Sequence, residues 1–88
     1  MKYEVKIQKR IERRLEKLPT HVQQKLLRLV LDLRDKGPAQ PEWPNYSKLY
    51  NDEYHCHLGY SWVACWRSKK NTIIIEVYYV GSREKAPY

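Results

Sequence analysis

An α+β domain is predicted by three features of the 88 residues. Residues 72–80 are dense in isoleucine, valine and tyrosine, the β-branched and aromatic composition of an interior strand. Residues 20–36 instead repeat apolar side chains at Val22, Leu26, Leu29, Val30 and Leu33, a helical period that Leu27 and Leu31 would widen. Between the strand-like segments of the second half lie turns too short to allow anything but antiparallel neighbours. The predicted architecture is an N-terminal strand, an antiparallel helical hairpin, then an antiparallel sheet of three to four strands. All of it forms one domain over residues 1–88.

Along the chain, residues 2–7 alternate charge with Tyr3, Val5 and Ile7, the pattern of a half-buried strand. From about residue 8 the period changes, and Ile7, Ile11, Leu15 and Leu18 are spaced as one helical face that Pro19 should end. Thr20 is a natural N-cap for the second helix, and Gly37 with Pro38 a natural stop. Residues 37–46 carry three prolines and form a crossing loop anchored by Trp43. A short strand over residues 47–50 precedes turn chemistry at Asn51 and Asp52, and further strands span residues 53–58 and 61–67. In the last strand Ile73, Ile75, Val77 and Tyr79 share one face and Ile74, Glu76 and Tyr78 the other, until Gly81 breaks it. Helices on one side leave the opposite sheet face open as the predicted working surface.

The chain holds 17 Lys+Arg against 10 Asp+Glu, a net charge of +7. The excess is uneven: residues 1–36 carry +6 and residues 37–88 only +1. Such a charge suits a phosphate backbone or an acidic partner better than a neutral metabolite. Cys56 and Cys65 are the only cysteines, too few for a disulfide framework, and read as buried thiols in a reducing compartment. There is no apolar leader and no run near the ~20 residues of a membrane span, so a cytoplasmic protein is expected.

Few residues offer chemistry. Arg83 follows the last strand, and a guanidinium presents a rigid fork of donors that can clamp a phosphate and stabilise developing charge. Tyr88, held by Pro87, can stack on a base or take part in proton transfer. His55 and His57 share a face while Cys56 points away, and imidazole is the natural acid or base near neutrality, His57 being the candidate. Lys48 and Arg67 could add positive charge at the same end of the sheet. Arg10, Arg13, Arg14, Lys17 and Lys85 supply the remaining basic surface for RNA binding. Trp62, Trp66, Tyr54 and Tyr78 could stack on bases if they face the open side. A zinc site lacks ligands at suitable spacing, and no Gly-rich phosphate loop or nucleophile elbow is present.

With this order of elements, the ending Gly81, Ser82, Arg83, Glu84 and the terminal Tyr88 resembles the RelE/ParE superfamily of toxins from toxin–antitoxin modules. The resemblance covers nearly the whole chain. It implies a metal-free, cofactor-free endoribonuclease that cleaves mRNA on the ribosome by attack of the ribose 2′-hydroxyl on the adjacent phosphate. It also implies Arg83 at the scissile phosphate, Tyr88 in catalysis, Lys48 on the catalytic surface, and a cognate antitoxin as partner. One departure stands out. An arginine that such ribonucleases often carry early in a strand is Trp62 here, and His55 or His57 would have to compensate. The same fold also hosts ParE-like proteins that bind DNA gyrase and cleave nothing, which is the alternative.

Overall fold

A computed structural model of the chain describes residues 2–88. Strand β1 (Glu4–Ile7) is followed by the short helix α1 (Lys9–Glu12), a 3₁₀ turn (Leu15–Lys17) and the long helix α2 (Thr20–Lys36). After the crossing loop come β2 (Ser47–Lys48), β3 (Glu53–Gly59), β4 (Trp62–Ser68) and β5 (Ile74–Ser82), and a 3₁₀ turn at Arg83–Lys85 leads into the tail. The strands form one sheet in the order β1-β5-β4-β3-β2. β2 to β5 pair antiparallel as expected, but β1 joins the edge parallel to β5, making the sheet mixed and five-stranded.

The predicted helical hairpin is absent. Its first arm is four helical residues and a separate 3₁₀ turn, with Arg14 N–H donating to Ile11 O at 3.0 Å and Leu18 N–H to Leu15 O at 3.1 Å. Apolar residues three or four apart serve either kind of helix, so their spacing did not separate an α-helix from short tight turns. Thr20 is the first helical residue of α2 and makes no capping bond.

α2 does bury Val22, Leu26, Leu29, Val30 and Leu33 on the sheet, each contributing about 1.5–3 kcal/mol before the entropy of ordering. Leu27 and Leu31 do not widen that stripe; they are 62% and 50% exposed. Gly37 ends the helix at φ +91°, where its N–H donates to Leu33 O at 2.9 Å. A Cβ there would also fall 2.7 Å from the Tyr3 ring.

Opposite the helix, alternation in β5 is interrupted. Cys65 of β4 pairs with Tyr79 and Trp66 with Val77, so Tyr78 is an extra residue in a bulge. The bulge leaves Ile75 and Val77 in the helix-side core and adds Val80 to it, while Tyr79 moves to the other face beside Cys65. β5 then continues through Gly81, which pairs with Val63, and ends at Ser82. The crossing loop is anchored as expected. Trp43 Nε1 donates to Asp32 Oδ2 at 2.9 Å, and Trp66 Nε1 donates to Pro38 O at the same distance.

Candidate active site

β3 places His55 and His57 on the sheet face away from α2, with ring centroids 6.3 Å apart, while Cys56 enters the core. That face is not open. The chain after the last 3₁₀ turn folds back over it and lays the Tyr88 ring on the His55 imidazole, centroids 4.1 Å apart and nearly parallel at 6°. Val63 and Cys65 on that face are fully buried, and His55 is buried rather than an exposed surface histidine. The Nε2 of His55 shares a proton with Ser47 Oγ at 2.9 Å, and its buried Nδ1 has no partner among the described residues.

The electrostatics follow from this packing. Burial, and then the neighbouring His57, hold His55 below its ordinary value and keep it neutral. Burial against the sheet raises the Tyr88 phenol, an effect the positive Arg83 partly offsets. A phenol held protonated in this way keeps a proton to give and does not serve as a base. Burial pushes both thiols up to about 12, which makes Cys56 and Cys65 unreactive.

Arg83 begins its 3₁₀ turn beside the β3–β4 turn, its N–H donating to Ser61 O at 2.8 Å. Arg83 and His57 are both among the residues lining one cleft of about 770 Å³, bounded by the β3–β4 turn, the crossing loop and α2. Arg83 and His57 therefore share a cleft around the C-terminal end of β5, and Tyr88 rests on His55, two residues from His57 along β3.

Lys48 and Arg67 are not brought to them. The register pairs Arg67 with Glu53 and Glu76, whereas Trp62, at the other end of β4, pairs with Ser82. Five residues of strand put Arg67 about 17 Å from that end. Arg67 lies over the Tyr78 ring, 4.2 Å from its centroid, and is paired at 3.7 Å with Glu76. Lys48 pairs with Tyr54, on the core side of the sheet, and is bridged to Asp52 at 3.7 Å.

Arg10, Arg14, Lys17 and Lys85 do gather, around a second groove of about 420 Å³ between the first helical segment and the end of β5. Arg10 Nη2 donates there to Tyr78 O at 3.1 Å. Arg13 is exposed on the same segment but does not line the groove. The proposed base-stacking aromatics are largely consumed by packing. Tyr54 and Trp66 stack within the core with Tyr46, Trp62 packs against it, and Tyr78 is buried with its hydroxyl donating to Glu53 Oε1 at 2.7 Å. Among the described residues no three His, Cys, Asp or Glu side chains assemble as a possible metal-ligand set, and no helix is long and apolar enough to cross a membrane.

No protein-family model and no curated protein matches the chain by sequence. Solved structures do. The RelE of an archaeal RelE–RelB complex from Pyrococcus horikoshii superposes with a TM-score of 0.77 at 20% identity, over 98% of this chain and 100% of that one. The chain has a RelE-like fold. The E. coli toxin RelE, as a free variant, gives a TM-score of 0.75 at 18% identity, over 98% of this chain and 88% of its own. With an antitoxin RelBc peptide bound, that toxin matches at 0.73 and 17% identity, over 93% and 84% of the two chains. The Staphylococcus aureus YoeB–YefM complex matches at 0.69 and 9% identity, over 94% and 99%. The RelE-like fold thus covers nearly the whole chain.

Three features of the site escaped the sequence. Ser47 as the partner of His55 depends on a two-residue strand, the path of the tail depends on long-range packing, and α2 as a wall of the Arg83 cleft was masked by its helical pattern.

Proposed function

We propose that the chain is the toxin of a RelE/YoeB-type toxin–antitoxin module and acts as a ribosome-dependent mRNA endoribonuclease. The observation that carries this reading is the shared cleft of Arg83 and His57 beside the tail-held Tyr88. Strand scission next to a 2′-hydroxyl needs a base, a charge stabiliser and an acid in line. In the proposed step the 2′-oxygen attacks the adjacent phosphorus, its proton passes to the His57 imidazole, and Arg83 holds the phosphoryl oxygens as their charge grows. The P–O5′ bond breaks with its electron pair, and the leaving oxygen takes a proton from Tyr88. The products are a 2′,3′-cyclic phosphate and a 5′-hydroxyl. No step calls for a cofactor.

The groove of Arg10, Arg14, Lys17 and Lys85 suits docking on ribosomal RNA by counterion release. The structural neighbours seen with RelB and YefM support an antitoxin as the protein partner. The test is incubation of the purified protein with ribosomes holding a defined mRNA. We expect fragments ending in a cyclic phosphate, lost with Arg83→Ala and reduced at least tenfold by deletion of Tyr88. Intact mRNA together with inhibited DNA gyrase would instead assign the chain to the gyrase-binding toxins.

A further inference from the structure

We infer that the exposed side of α2 is the binding track for the single-stranded RNA that leads to Arg83, with Tyr60 as a stacking platform; this rests on the nuclease reading above. Lys25 and Arg28 lie three residues apart, so they share a helix face, and both line the cleft that holds Arg83 and His57. The cleft is not uniformly basic. Farther along α2, Lys36 is paired with Glu42 at 3.7 Å, and the Asp32 carboxylate accepts the Trp43 indole N–H. Among the described residues Lys25, Arg28 and Arg83 are in no ion pair, so the free positive charge is concentrated at the catalytic end.

Tyr60 sits at the β3–β4 turn on the same cleft and is 91% exposed. The turn itself needs no aromatic residue, and a ring left in water forgoes the stabilisation it would gain in a core. Cations that follow a backbone, beside a free ring that receives a base, are the combination by which proteins hold single-stranded nucleic acid. A base stacks on the free ring while its phosphates meet the cations, so RNA engages both features at once. The ring therefore favours RNA. A rigid helix also suits a track that must deliver one phosphate to Arg83 in a fixed position.

The experiment is a salt series of equilibrium binding, by fluorescence anisotropy, to a short labelled 2′-O-methyl RNA that cannot be cleaved. We expect K25Q/R28Q to flatten the slope of log K against log salt by about 1.4, which is about 0.7 for each lost phosphate contact. Tyr60→Ala should weaken binding by about fivefold or more with little change in slope. K69Q/K70Q removes the same charge from the β4–β5 hairpin loop and should leave the parent slope. All these side chains are exposed, so the variants should fold, and thermal unfolding of each is recorded alongside. The inference is overturned if the parent fails to bind at low salt, or if both double variants change the slope equally. It is also overturned if a polyglutamate peptide binds through Lys25 and Arg28 while Tyr60→Ala leaves RNA binding intact. Because this RNA is not cut, loss of cleavage with the track intact removes only the nuclease reading. Cleavage with an unchanged slope removes only the track.

Discussion

At the scale of single residues, the site is a small set of side chains whose states are fixed by what surrounds them. Tyr88 is 52% exposed, so one ring face remains free while the other rests on His55. Burial keeps that imidazole neutral. The folded His55 lies below the ordinary 6.5, so the unfolded chain takes up its proton first as pH falls. Its contribution to stability is therefore complete above about 6.5 and is lost as pH drops from there towards the folded value. Urea unfolding midpoints between pH 7.5 and 5.5 should fall more steeply for the parent than for His55→Phe, which keeps the stack but cannot titrate. Equal slopes would remove His55 from the linkage. Arg83 and Tyr88 were candidates from the sequence because they stand in a recognisable pattern, and the fold puts Arg83 in the cleft and Tyr88 on His55. Lys48 and Arg67 were misplaced because strand register, which sends a side chain to one face or the other, is not written at any single position.

At the scale of elements, α2 was legible because seventeen residues of helical period leave little ambiguity, and its stop was marked by Gly37. The first helix was not, since a short charged segment with three apolar residues satisfies α and 3₁₀ geometry alike. The β5 bulge at Tyr78 was equally invisible: composition identifies a strand but does not show where a residue is added. Gly37 carries a direct test. An alanine there must adopt φ +91° and displace Tyr3, so Gly37→Ala should cost about 1–3 kcal/mol of unfolding free energy while leaving the cleft chemistry intact. A stability equal to the parent's would mean that Tyr3 and the C-cap adjust freely.

Over the whole molecule, a parallel pairing closes the fold between strands separated by almost the full chain, Val5 against Ile75. No local signal announces such a contact. The N-terminal half supplies most of the positive charge and two basic walls, while the C-terminal half supplies the sheet, the tail and Arg83. The same division is compatible with neighbours no more than 20% identical, because the fold requires a pattern of apolar positions rather than particular residues. The proposed function joins both halves: cleavage of mRNA that depends on the tail arginine and occurs only when ribosomes present the message. Its most direct test is 5′-end mapping of mRNA after adding the protein to a translating extract, with Arg83→Ala in parallel. New ends inside codons, absent without ribosomes and absent with Arg83→Ala, are the predicted result. Intact mRNA with the parent protein, or the same ends with Arg83→Ala, would contradict it.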